Sequence, residues 1–486
     1  MGQEAYQLSG VTQSLDAYYT GAGEVAGQWI GGGAARLDLE GVVDADDLRA
    51  VLAGLAPGNG GLTPNGTQPR PHPRRAPGFD LTFKAPKSAS VLYAVSDDPR
   101  VQAAIIEAGE AATQEAIGWL ERQVVRVRRG SHNTAWLAAH EDSTSARAHQ
   151  LQTSGVVAAS FRHRTSRAGD PLLHWHCLVA NMAEGTDGKW SAIVHPDLFR
   201  NAKAAGEIFQ ATFRAELTAS LGVEWVRGRH VHEIAGVPRR IVEMFSKRSD
   251  EIEAWLAATG TPATAAGRQA AVLATRRNKP ELEHHRLDDR WKAESLGAGW
   301  TPDDAELVVA SGGHLAPVDY EQAWRMESVI FDEHGTPERF DRLVDPEEWI
   351  GGVVRSLTSD RSTFSRNDLS GAVAATLGPG ASTWTIERIV NRCIASPHLI
   401  AVRTDDQTQM WTSRELADTE QRFIATVTGA GAVPALLIAC AAAAIADRPT
   451  LGNDQADAIA AIASSVTPVS VLVGPDLGLC RGAEGN

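Results

Sequence analysis

The residues whose chemistry is most evident are three histidines in one stretch, Phe161-Arg-His163-Arg-Thr-Ser-Arg-Ala-Gly-Asp-Pro-Leu-Leu-His174-Trp-His176. On a strand, residues i and i+2 project from the same face, so His174 and His176 point together. Strands at 155–161 and 172–181, separated by the turn-prone Ser166-Arg-Ala-Gly-Asp-Pro171, predict an antiparallel hairpin that brings His163 beside them. Three imidazoles converging from a sheet would fix a metal ion and leave coordination positions for a substrate oxygen. The H-x-H spacing by itself equally fits two half-buried histidines, a surface pair, or the sites of cupins and metal hydrolases, so geometry alone leaves the reaction open.

A second feature is the pair Tyr18 and Tyr19, two adjacent members of a set of only five tyrosines in 486 residues. Such a pair commonly serves as core plus surface. A phenol, with an ordinary pKa of about 10, becomes a covalent nucleophile where a base or a metal field favours its deprotonation.

The histidine stretch FRHRTSRAGDPLLHWHCLVANM resembles the signature of MobF (TrwC-type) conjugative relaxases, in the HUH endonuclease group, where a histidine is followed eleven residues later by H-x-H. The passage YYTGAGEVAGQWIGGGA is similar to the family segment that carries the nucleophilic tyrosines. The resemblance implies that Tyr18 or Tyr19 attacks a DNA phosphodiester, leaving a 5′-phosphotyrosyl link and a free 3′-hydroxyl. It departs from relatives with two tyrosine groups: one pair is present, seventeen residues precede it, and Tyr6 would be a remnant of the first group. Gly78-Phe-Asp80-Leu-Thr-Phe-Lys-Ala-Pro-Lys87-Ser88 resembles the family strand DLTFxAPKS, which places Asp80 beside the histidines, where a carboxylate fixes an imidazole tautomer. Lys87 would reach a phosphate or stand in solvent.

The same resemblance implies a divalent metal, Mg²⁺ or Mn²⁺, although three imidazoles also suit Zn²⁺ or Ni²⁺. It implies single-stranded DNA at an origin of transfer as partner, with relaxosome accessory proteins and a coupling protein, and a monomeric chain. Two rivals remain: a non-catalytic single-stranded DNA-binding remnant, and an unrelated H-x-H metal hydrolase.

The elements that must position these groups give an expected α+β fold, an antiparallel sheet bearing the histidines and flanked by helices. Residues 56–78 read as a Gly/Pro-rich loop and 79–83 as an alternating strand. Helical periods run over 99–123, 198–221 and 237–259, with shorter ones at 366–377 and 385–395. Periodicity fades between Trp300 and Pro346, which suggests a relaxase unit at 1–300, a linker at 301–349 and a second unit at 350–486.

A net charge of -14 argues against nucleic-acid binding by bulk charge, so DNA contact would need local basic surfaces. Candidates are Arg70, Arg74 and Arg75, then Arg122, Arg126, Arg128 and Arg129, then Arg162, Arg164 and Arg167, each cluster otherwise a solvated face. The four cysteines are scattered, which suggests neither disulfides nor a cysteine zinc site and fits the cytoplasm. The N-terminus carries no secretory pattern, and the apolar run 433–446 is too short for a bilayer span.

Residues 350–475 resemble the start of a RecD-like helicase, including Gln455 in a Q-type motif and the strand 469–473 before Gly474. A phosphate loop needs G-x-x-x-x-G-K-[ST], but the last three of those positions hold Leu479, Cys480 and Arg481. The expectation is a partial helicase N-terminal region from a frameshifted or truncated reading frame, without ATPase activity.

Overall fold

The computed structural model describes residues 26–69, 76–130, 149–229, 231–275, 284–310, 325–331, 337–343, 345–359, 361–404 and 408–429. Its centre is a four-stranded antiparallel sheet of β1 (Gln28–Ile30), β2 (Gly78–Lys84), β3 (Ala158–Thr165) and β4 (Pro171–Ala180), in the order β1-β3-β4-β2. The expected hairpin is β3–β4. Its register sets Ala158 opposite Val179 and His163 opposite His174, with an irregularity after His163.

Alternation along the strands gives the sheet two different faces. Leu173, Trp175, Cys177 and Val179 of β4 share a face with Phe79, Leu81 and Phe83 of β2, and all are buried in the main core. That face is covered by α3 (Pro99–Gln123) and α4 (His195–Leu221). Trp175 can lie against α3 because Gly109 has no side chain: a Cβ there would sit 1.9 Å from the Trp175 ring. On the other face Trp29, Ala159, Phe161, Leu178 and Ala180 form a smaller core with Leu48, Val51 and Leu52 of α1 (Ala45–Ala53). The histidines lie on this second face, toward the Pro171 end of β4.

The start of α3 follows from its sequence. Pro99 occupies the first turn, and the Asp98 side chain accepts from the amide of Arg100. α2 (Lys87–Val95) links β2 to α3, and α4 ends at Gly222, whose φ of 66° closes the helix in the left-handed region.

The single helix expected at 237–259 is two, Arg239–Met244 and α5 (Lys247–Thr259). The chain breaks at Phe245, which is fully buried, and the Ser246 hydroxyl donates to the carbonyl of Val242 at 2.6 Å. The segment expected to lack regular structure holds a helix, Pro302–Ala310, and an antiparallel hairpin, Arg325–Phe331 with Pro337–Leu343.

Beyond it, α7 (Pro346–Thr358), α8 (Arg366–Thr376) and α9 (Thr383–Ile394) pack on the sheet-bearing unit; α6 (His284–Gly297) precedes them. Ile350, Val353, Phe364, Leu369, Val373, Ile386 and Ile389 belong to the same continuous core as α3 and α4. Arg214 of α4, fully buried, donates to the carbonyls of Ala374, Leu377 and Gly378 at the end of α8, and Trp119 Nε1 donates to Glu387 at 3.0 Å. Gln455 and the 469–486 stretch lie outside the described residues. Among the described residues no helix is long and apolar enough to cross a membrane.

Candidate metal centre

His163, His174 and His176 each offer a ring nitrogen, and the three nitrogens lie within 4.8 Å of one another. Ring centroids are 5.3 Å apart for His163–His174 and 5.0 Å for each of the other two pairs. Strand register explains the convergence: His163 and His174 are direct partners across β3–β4, and His176 follows two residues along on the same face.

The outer nitrogens of two rings are engaged. Nδ1 of His176 lies 3.0 and 2.9 Å from the two carboxylate oxygens of Asp80, and Nδ1 of His174 lies 2.9 Å from the carbonyl of Leu172. A carbonyl accepts only, as does an ionised carboxylate, so each Nδ1 carries the proton and donates. The remaining Nε2 then presents a lone pair, which is the tautomer a metal requires. The donor set therefore fits a divalent ion: three imidazoles, two of them oriented by acceptors behind them.

The expected residues His163, His174, His176 and Asp80 are thus brought together. Tyr18, Tyr19 and Tyr6 lie outside the described residues. Tyr19 precedes β1 by nine residues, and a fully extended stretch of that length spans at most about 30 Å. Two residues on the same face had not been singled out as site groups, Thr82 and Lys84. Their signal was present, since they stand two and four places after Asp80 on one alternating strand. Thr82 Oγ1 lies 3.2 Å from His176 Nδ1.

Lys87 does not stand free in solvent. It is half-buried, and its ammonium donates to the carbonyl of Pro171 at 2.7 Å, so it pins the start of β4. Burial pushes its pKa down to about 8 against the pull of Asp170 and Glu233. Asp170, buried beside it, is held 3.4 Å from Lys247 of α5, which also pairs with Glu294 of α6. The turn between the histidine strands is therefore clamped by charged groups from three helices.

Several arginines offered as a basic surface are already paired. Arg129 bonds Asp187, Arg162 bonds Glu110 and Arg164 bonds Asp288, while Arg126 donates to carbonyls at the end of α3. Arg70, Arg74 and Arg75 lie outside the described residues.

The TrwC relaxase family matches residues 2–297. The chain belongs to the TrwC relaxase family. Two curated relatives are similar over the same region, both multifunctional conjugation proteins TraI of Escherichia coli. One is 33% identical over 279 residues and that of strain K12 is 31% identical over 281; each match covers 55% of this chain and 14% of the relative. The chain thus matches only a small part of these relatives' length.

Among solved structures, the relaxase TrwC in complex with oriT DNA is similar in its metal-free form (28% identity, TM-score 0.50) and its metal-bound form (27%, 0.51). Each covers 60% of this chain and 96% of the TrwC chain. The expected α+β architecture, an antiparallel sheet with flanking helices, is the TrwC relaxase fold.

Proposed function

We propose that this chain nicks one strand of origin-of-transfer DNA by metal-assisted transesterification. The observation that carries the reading is the cluster of His163, His174 and His176 with Asp80 behind His176, on a fold shared with a relaxase solved on oriT DNA. The phenol of Tyr18 or Tyr19 gives up its proton to solvent as its oxygen attacks phosphorus, the P–O3′ bond breaks, and the departing 3′-oxygen takes a proton from solvent. The products are a 5′-phosphotyrosine and a free 3′-hydroxyl.

A divalent ion held by the three histidines, Mg²⁺ or Mn²⁺ in this reading, supplies Lewis-acid polarisation of the scissile phosphate when bound. Asp80 keeps the His176 ring in its ligand tautomer, and the Leu172 carbonyl does the same for His174. The chain acts in the cytoplasm as a monomer, alongside accessory proteins and a coupling protein. The relaxase unit at 1–300 carries the chemistry, and the helicase-like stretch at 350–486 begins with helices that share its core. Without a phosphate-loop lysine, this chain hydrolyses no ATP.

The test is incubation with labelled single-stranded oriT oligonucleotides and Mn²⁺, followed by denaturing electrophoresis. A covalent protein–DNA adduct supports the reading. DNA binding without an adduct, on every origin tried, overturns it.

A further inference from the structure

Lys84 stands where neither the fold nor the histidine site accounts for it. In the β2–β4 register it is directly opposite His174, just as Thr82 is opposite His176, and it shares their face of the sheet. Directly paired residues in an antiparallel sheet have Cβ atoms about 5 Å apart, so its four-carbon stem can carry the ammonium across the histidine cluster. The backbone there is fixed: the Lys84 carbonyl accepts from Gln210 Nε2 at 2.6 Å, and the next amide, Ala85, donates to Leu173. Part of the residue reaches solvent, but burial around its ammonium holds the pKa below the ordinary lysine value, and among the described residues that ammonium forms no ion pair or hydrogen bond.

A lone cation beside three imidazoles is electrostatically awkward if the site holds only a metal ion. Like charges a few ångströms apart weaken the ion's binding. Asp80, the carboxylate on that face of β2, stands four residues before Lys84 and is engaged with His176. An anion lying between the metal position and Lys84 turns the conflict into an attraction to both. Lysine, a compact point charge on a flexible stem, suits a phosphate oxygen.

We propose that Lys84 contacts a phosphate of the bound DNA strand at the histidine site, and so makes metal and DNA binding mutually reinforcing. This rests on the nicking function proposed above and adds a substrate-contacting residue to it.

The test compares the wild-type chain with K84M and K84R, using a labelled single strand of mixed sequence and, separately, Mn²⁺ alone. Removing one phosphate contact lowers the slope of log affinity against log salt by about 0.7, or about fivefold in affinity at 0.1 M salt. K84M should show that loss and K84R should restore the slope. Without DNA, K84M should hold Mn²⁺ at least as tightly as wild type, because a repelling charge is gone. An unchanged salt slope in K84M, or weakened Mn²⁺ binding without DNA, overturns the proposal. If the slope falls as expected but wild type forms no adduct, the phosphate contact stands and the nicking function fails. A wild type that binds no single-stranded DNA removes both.

Discussion

The carboxylate of Asp80 meets Nδ1 of His176 through both oxygens, at 2.9 and 3.0 Å, and so ties edge strand β2 to the hairpin that carries the histidines. The contact fixes which nitrogen of His176 faces the metal position. Without it the ring is free to present the wrong tautomer.

Asp80→Ala should therefore cut Mn²⁺ affinity by about 10–100-fold while the sheet stays folded, the usual cost of losing a group behind a metal-binding histidine. His174→Ala and His176→Ala should lose more, since each deletes a ligand. Isothermal titration with Mn²⁺, alongside circular dichroism to confirm folding, checks both; Mn²⁺ binding unchanged in all three variants would exclude the metal centre.

Replacing Tyr18 and Tyr19 together with phenylalanine keeps two apolar rings and deletes the attacking oxygens. No covalent adduct should form, while single-stranded DNA binding persists. Single variants then show which phenol attacks, because neighbours on an extended segment face opposite ways. An adduct from the double variant would move the nucleophile elsewhere, with Tyr6 first in line.

Arg214→Met should destabilise the chain by about 1–3 kcal/mol for each buried carbonyl left without its donor. Its guanidinium holds the carbonyls of Ala374, Leu377 and Gly378, so the loss falls on the seam between α4 and α8. Arg214→Lys should rescue little, because an ammonium lacks the planar fork. Denaturant melts give the magnitude, and trypsin should release the segment after residue 345 earlier from the variant.

How much of this could be read from the sequence depended on whether the information was local. The histidine hairpin was readable because strand alternation and a Gly-Asp-Pro turn fix the register between His163 and His174. Asp80 came only through the family likeness, since nothing local says which strand will pair with β4. Lys84 lay on the same alternating strand, so its face followed by alternation once Asp80 was placed, although a lysine by itself carries no mark that separates a site from a solvated edge. The packing of α8 on α4 was hidden for a related reason. Arg214 in an amphipathic helix looks like a surface arginine, and its three carbonyl partners lie about 160 residues away.

The same seam should make stability sensitive to acid. His232 is buried, with 7% of its surface exposed, and burial pushes its pKa down to about 3, helped by the nearby charges of Arg214 and Arg227. The folded chain therefore resists a proton that the unfolded chain accepts at about 6.5. A depressed folded-state pKa gives stability that is fully present above pH 6.5 and is lost as pH falls from there toward 3. The slope is at most about 1.4 kcal/mol per pH unit for one group. Its neighbours give the effect a location, since His232 Nε2 would lie 3.9 Å from a Cβ placed on Gly378 in the docked unit. His232→Gln removes the titration and keeps a polar side chain of similar size. Melts at pH 7.5 and pH 5 should differ more for wild type than for His232→Gln, and the excess acid sensitivity of wild type should shrink in the Arg214→Met background, where one of the two repelling cations is gone. Equal pH dependence in wild type and His232→Gln would show that His232 is protonated in the folded chain as readily as in the unfolded one.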